Sequence, residues 1–178
     1  HDALPISGAG PLKAGPSLVD FITGHNTAIA ILGALQYRNR TGEGQFIDIA
    51  LLDTSVAMVS HIMQDYLISG EAPPRLGNGG NGGGPADLIY ASNGIVYLTA
   101  GTDEHYRRLT VLMKQPELND DPRFDSNFKR GKTNRAELID IINVWSSQFS
   151  VQVLLDMFEE VGIPAAKYNS LPEVWQDE

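Results

Sequence analysis

The stretch from Gly70 to Asp87 constrains this chain more than any other. It carries Gly70, Pro73-Pro74, six glycines in the eight positions 77–84, and then Pro85. Glycine loses the most freedom when ordered and proline removes an N–H donor, so neither a helix nor a central strand can run through here. The expectation is a linker followed by a mobile loop, with separately organised chain on either side. At 178 residues, 42% of them hydrophobic, there is room for one ordinary globular domain or two small ones.

Upstream, His1 to Pro16 is rich in glycine and proline, shows no hydrophobic period, and reads as a loop. From Val19 to Gln36, apolar Val19, Phe21, Ile22, Ala28, Ile29, Ile31, Leu32 and Leu35 are interleaved with small residues, which predicts a helix buried on most sides. Arg38 and Arg40 suit a helix C-terminus, and Thr41-Gly42-Glu43-Gly44 can turn the chain away. Gln45 to Ile49 predicts a short strand, and Leu51 to Ile68 predicts one helix through Leu52, Val56, Val59, Met63 and Leu67.

Downstream, Leu88–Ala91 and Ile95–Ala100 predict two strands joined tightly through Ser92-Asn93-Gly94. Thr102 is positioned to cap a helix reaching about Lys114, with Asp103 and Glu104 in its first turn. Asn134 and Glu137 have the spacing of a capping box before Leu138, Ile141, Ile142 and Trp145. Ser150 is placed to cap a further helix that Gly162 and Pro164 stop, and 165–168 predicts a returning strand. There is no internal repeat.

Several function classes are disfavoured at once. A formal charge of −9, shared by both halves, argues against a broad nucleic-acid or anionic-membrane surface. The absence of cysteine excludes disulfides, thiolate zinc sites and a cysteine nucleophile, and it is compatible with a reducing compartment. The longest unbroken apolar stretch, Ala28 to Leu35, is short of the ~20 residues that span a bilayer, and no basic segment precedes an apolar one near His1. A soluble, cytoplasmic protein with no membrane partner is expected.

Chemistry-bearing candidates are few. Gly77 to Gly82 matches a dinucleotide fingerprint literally, but Pro73-Pro74 before it and Pro85 after it deny the strand and helix that the fingerprint requires. The run is then either an exposed hinge or a lid whose bare backbone offers N–H donors to an oxyanion. His1, His25, His61 and His105 are too scattered for a metal site. His25 and His61 read as hydrogen-bonded core or interface residues ahead of general bases. No G-x-S-x-G occurs. Lys129, Arg130, Lys132 and Arg135, offset by Asp120, Asp121 and Asp125, read as a solvated face. Asp20 stands at the start of an apolar helix, either as its N-cap or as a nucleophile kept ionised in a desolvated pocket.

Asp20-Phe21-Ile22-Thr23-Gly24 and the string from Gly33-Ala34-Leu35-Gln36-Tyr37 through Thr41-Gly42-Glu43-Gly44-Gln45-Phe46-Ile47-Asp48 to Asp53 resemble the class III CoA-transferases, the CaiB/BaiF group. Arg75-Leu76-Gly77-Asn78, Asn93 to Gly101, Asp121-Pro122-Arg123-Phe124 and Gly162-Ile163-Pro164-Ala165 extend the likeness from about residue 15 to the C-terminus. The resemblance implies an α/β fold, here a fragment of a two-domain CoA-transferase. Residues 1–69 would be the helical part of a Rossmann-like large domain, 70–87 the linker and glycine-rich loop, and 88–178 a small α+β domain with the start of a return segment.

By the same likeness, Asp20 matches the nucleophilic aspartate and Gly82, Gly83 and Gly84 match the active-site loop of the formyl-CoA transferase branch, although Pro85 stands where that branch has further glycine. The implied activity moves CoA from an acyl-CoA donor to a carboxylic acid through aspartyl anhydride and aspartyl-CoA thioester intermediates. The CoA thioester is substrate, no cofactor or metal is implied, and the partner is a second copy in an interlocked homodimer. Two alternatives stay open: an α-methylacyl-CoA racemase-like epimerisation at an aspartate in the same place, and a non-catalytic dimerisation or binding module that keeps the fold.

Overall fold

Turn chemistry sets the first helix. In a computed structural model that describes residues 15–72, 77–79 and 83–176, α1 runs Leu18–Thr41 and ends where Gly42 takes a left-handed φ of 79° and its N–H returns to the Arg38 carbonyl. That is the C-terminal stop legible in the sequence. The expected burial is not found: α1 has no buried residue, and Phe21 and Leu32 are each about two-thirds exposed. Apolar spacing records a surface fit to be covered, and the described part of this unit holds too little chain to cover it. By length and composition α1 could cross a membrane, as a core helix of a soluble protein also could, so counting only unbroken apolar runs understated it.

Two further expectations for this unit are corrected. Residues 45–49 form no strand. Ile47 and Ile49 are half-buried between exposed Phe46 and Asp48, the alternation of a strand, but no second strand of the described unit supplies a ladder. The single helix over 51–68 is two, α2 Leu51–Met58 and α3 Ser60–Ser69. Val59 breaks them with ψ at 18°, its N–H reaching the Val56 carbonyl at 3.2 Å, a shorter-range bond than the helical ladder uses.

The chain divides into two compact units, His1–Arg75 and Leu76–Glu178. In the second, β1 Ala86–Ala91 and β2 Gly94–Thr99 pair antiparallel, and β3 Ala165–Lys167 adds to the far side of β2 in the order β1-β2-β3. The register sets Ala91 opposite Gly94, so the connection is the two residues Ser92-Asn93. β1 starts two residues earlier than expected, because the ladder continues through Ala86 and Asp87 and the Ala100 N–H bonds the Pro85 carbonyl at 2.7 Å.

Around this sheet stand α4 Asp103–Leu112, α5 Arg135–Ser146, α6 Val151–Glu160 and α7 Leu171–Gln176. Period-2 alternation sends Ile89, Val96 and Leu98 inward to a core shared with Leu109 of α4, Leu138 and Ile142 of α5, and Leu154 and Phe158 of α6. Local signals work well here. Thr102 Oγ1 accepts from the His105 N–H at 3.1 Å and Ser150 Oγ from the Val153 N–H at 3.4 Å, each contributing about 1 kcal/mol where the bond is well made.

The capping box at Asn134 is not formed. Asn134 is the N-cap by position, but its amide donates to the Arg123 carbonyl at 2.6 Å and Glu137 pairs with the Arg123 guanidinium. A tertiary partner has taken both side chains that the local motif would use.

Candidate active site

In the first unit the carboxylate of interest opens α1. Ser17 is the N-cap, with no side-chain capping bond, and its carbonyl receives the Phe21 N–H at 3.1 Å. Asp20 is therefore the third residue of the helix, not its cap. It is exposed, in the first turn where the polarised N–H groups favour negative charge. The hydroxyls that follow turn onto the backbone: Thr23 Oγ1 donates to the Val19 carbonyl at 2.6 Å and Thr27 Oγ1 to the Thr23 carbonyl at 2.8 Å. His25 and His61 are exposed and not core residues, since the apolar positions beside them are themselves uncovered in this unit.

The second unit carries Gly83 and Gly84, whereas Gly82 lies outside the described residues. Gly83 has a φ of 109°, a conformation that side-chain-bearing residues rarely adopt. The Gly84 N–H donates to Asn127 Oδ1 at 2.7 Å, and the Gly84 carbonyl accepts from Arg130 Nε at 3.1 Å. Asn127 completes the link by donating through Nδ2 to the Gly101 carbonyl at 2.8 Å.

This overturns the reading of 129–135 as a solvated face. Arg130 is only 3% exposed. Its guanidinium also donates to the Phe124 carbonyl at 2.9 Å, pairs with the Asp103 carboxylate, and lies 4.4 Å from the centre of the Tyr106 ring. Arg135 pairs with the buried Asp87, whose carboxyl is raised above the usual range by burial, against the opposing pull of Arg135 and the Leu88 N–H. Tyr106, pushed up to about 12 by burial, keeps its hydroxyl proton and donates to the Leu118 carbonyl at 3.1 Å. Sequence showed the charges but not their burial, because most of the groups that receive them, Asp103, Gly84 and Asp87, come from segments tens of residues away.

Residues Lys129–Thr133 form a π-type turn that carries Gly131 against the glycine segment. A Cβ on Gly131 would stand 2.6 Å from the Gly83 carbonyl carbon, and one on Gly84 would stand 2.7 Å from the Gly131 Cα. Two stretches of backbone meet here with no room for a methyl group. Upstream of the turn, Asp121-Pro122-Arg123-Phe124 folds on itself: the Arg123 N–H donates to Asp121 Oδ1 at 2.9 Å and Phe124 enters the core. The Arg123 guanidinium holds the Asp121 carboxyl down at about 2.

Comparison with known proteins gives a consistent picture. The model of CoA-transferase family III matches residues 4–178. A succinate–glutarate CoA-transferase of Agrobacterium fabrum is 35% identical over 94% of this chain and 42% of its own length. A succinyl-CoA:mesaconate CoA-transferase of Haloarcula hispanica is 33% identical over 94% of this chain and 41% of its own. Among solved structures, a CaiB/BaiF family protein from Brucella suis is 33% identical with a TM-score of 0.74, covering 99% of this chain and 47% of that one. A Mycobacterium tuberculosis protein, at 23% identity and a TM-score of 0.80 over 98% of this chain and 46% of that one, shares the fold. The chain spans about two fifths of the length of the curated relatives it matches.

Proposed function

The chain belongs to CoA-transferase family III, and from that premise we propose that its protein moves CoA from an acyl-CoA donor to a carboxylic acid acceptor, with Asp20 as the nucleophile. The mixture of helices and strands fits part of a two-domain α/β CoA-transferase. The observation that carries the reading is the position of Asp20: an exposed carboxylate in the first turn of a 24-residue helix, inside the matched region. The curated relatives described above are named as transferases, which favours transfer over epimerisation.

In the proposed sequence an Asp20 oxygen attacks the thioester carbonyl carbon and the C–S bond breaks, giving a mixed anhydride and CoA thiolate. The thiolate attacks the Asp20 carbonyl carbon of that anhydride and expels the donor carboxylate, leaving an aspartyl-CoA thioester. The acceptor carboxylate then repeats the two exchanges in reverse order and restores Asp20. Each step exchanges one anion for another, so no net proton transfer is needed. Covalent catalysis divides one difficult exchange into four acyl transfers.

Every tetrahedral intermediate develops an oxyanion, and the peptide N–H groups of a glycine segment are suited to meet it. Gly83 and Gly84 are proposed as the described end of such a segment, where Gly84 anchors the backbone and does not donate to the oxyanion, because its N–H is held by Asn127. Exclusion of water matters because an anhydride open to solvent hydrolyses before capture. The proposed substrates are acyl-CoA and a carboxylic acid, with two copies of the chain in the working assembly.

Hydroxylamine added during turnover of the full-length protein is expected to convert the Asp20 thioester to a hydroxamate, seen by mass spectrometry on the peptide that carries it. Asp20→Asn is expected to lose transfer by about 10³-fold or more, the scale on which a covalent nucleophile contributes. Undiminished exchange in that variant would remove Asp20 from the mechanism.

A further inference from the structure

We propose that Asn127, Arg130 and Gly131 are positioning residues that seat the Gly83–Gly84 end of the glycine segment, so that its conformation during transfer is set by the core of the second unit. The inference rests on the proposed role of the glycine segment and goes beyond it by naming what holds that segment.

Both polar groups of Gly84 are taken by side chains more than forty residues away, its N–H by Asn127 Oδ1 at 2.7 Å and its carbonyl by Arg130 Nε at 3.1 Å. These two groups belong to the peptide units on either side of the Gly84 Cα, so holding both fixes the direction in which the backbone enters and leaves this residue. Arg130 is itself anchored, buried at 3% exposure and bonded to the Phe124 carbonyl as well as to Asp103. Asn127 spans from Gly84 to the Gly101 carbonyl at 2.8 Å, tying the segment to the end of the hairpin.

Packing adds a steric constraint. The π-type turn brings Gly131 backbone against Gly83 and Gly84 backbone, and a Cβ on either partner would collide with main-chain atoms that cannot swing aside. A Cβ on Gly83 would fall on the Asn127 side chain, and its φ of 109° already restricts the position to glycine. Sterics and hydrogen bonding therefore select the same backbone path. Beyond Gly84 the path runs straight into the sheet, because the Pro85 carbonyl accepts from the Ala100 N–H. A glycine segment that must present N–H groups to an oxyanion needs one end that does not move, and errors of about 1 Å in such placement cost up to 10²-fold in rate.

The test uses the full-length protein carrying Gly131→Ala, Asn127→Ala or Asn127→Asp, the last of which keeps the oxygen that accepts from Gly84. Expected for the two alanine variants is a kcat for transfer lowered by about tenfold or more, with KM for the acyl-CoA donor changed less than about twofold. The fraction of donor lost to water is expected to rise severalfold, because a displaced segment exposes the anhydride. Asn127→Asp is expected to recover part of the Asn127→Ala loss, because it keeps the acceptor for Gly84 but gives up the donor to the Gly101 carbonyl.

Transfer, KM and hydrolysed fraction all unchanged in folded alanine variants would overturn the proposal. So would a fall in melting temperature with unchanged chemistry, which is what a merely structural role predicts. Amide hydrogen exchange covers variants too weak to assay: the peptide containing Gly83 and Gly84 should exchange about tenfold faster or more than in the parent while the α6 peptides do not, and equal rates overturn the idea. Asp20→Asn run in parallel separates the two claims. If it is inactive while the seat variants behave as the parent, only the seat falls; if it retains full transfer, the covalent reading falls and the seat proposal with it.

Discussion

The two units are made of similar residues and bury them very differently. In the second, Phe158, Leu154, Ile142 and Ile89 are fully buried around a three-stranded sheet; in the first, Thr54 is the sole buried residue among those described, and Phe21, Leu32, Leu52 and Leu67 remain exposed. The difference is one of closure. A sheet with helices packed on its inner face encloses a volume, whereas one long helix and two short ones offer apolar surface without a layer to put over it. Amphipathic spacing is thus a statement about what a segment requires, and only the assembled layers show where the requirement is met.

The sharpest challenge to this contrast is a pair of aromatic truncations in the 178-residue chain. Phe158→Ala removes a fully buried ring that stacks edge-on with Trp145 and is expected to cost about 3–5 kcal/mol in urea unfolding followed by Trp145 fluorescence. Phe21→Ala, at a position 67% exposed, is expected to change stability by less than about 0.5 kcal/mol. Equal losses would mean that the first unit has a core of its own.

A finer comparison uses two serines at helix starts. Ser150→Ala removes a bond to the Val153 N–H and is expected to destabilise by about 1 kcal/mol. Ser17→Ala removes no capping bond and is expected to be close to neutral in the same assay. If Ser17→Ala proved the costlier change, the first-turn geometry around Asp20 would need revision.

The smallest expected effect is acid sensitivity within the second unit. Lys167 lowers the Glu173 carboxyl to about 2, and Arg123 does the same for Asp121, both from ordinary values near 4. Carboxyls held below their unfolded values stabilise the fold above pH 4.5 and lose that contribution as the pH falls towards 2. Asp87 has the opposite sign. Its raised carboxyl favours the fold at low pH and loses that contribution as the pH rises through its folded value. Asp87→Asn should therefore make the loss of stability between pH 5 and 2 steeper than in the parent, as followed by circular dichroism; a shallower curve would show that the Arg135 pairing outweighs burial at Asp87.

How much was legible differed by the range of the interaction. Gly42, Thr102, Ser150 and Gly162 act on backbone within a few residues of themselves, and each was placed correctly from sequence. Asn134 carried the same kind of local signal and misled, because Arg123 lies close enough in space to take its amide. The break at Val59 had no glycine or proline to announce it. For the candidate site, the resemblance pointed to Asp20, Gly83 and Gly84, but Asn127 gave no sign, and Arg130 was assigned to the surface because a run of cations ordinarily lies there.

The amino-acid order alone determined the helix stops at Gly42 and Gly162, the hairpin turn at Ser92-Asn93, that this chain carries no cysteine side chain, and that a carboxylate stands near the start of the long helix. These follow from groups that meet within one or two turns of chain. The tertiary structure alone decided that Arg130 is buried, that Arg135 answers Asp87, and that Gly131 leaves room for Gly83 and Gly84. Burial and close approach are properties of segments brought together from distant parts of the sequence, and no local pattern encodes the distance between them.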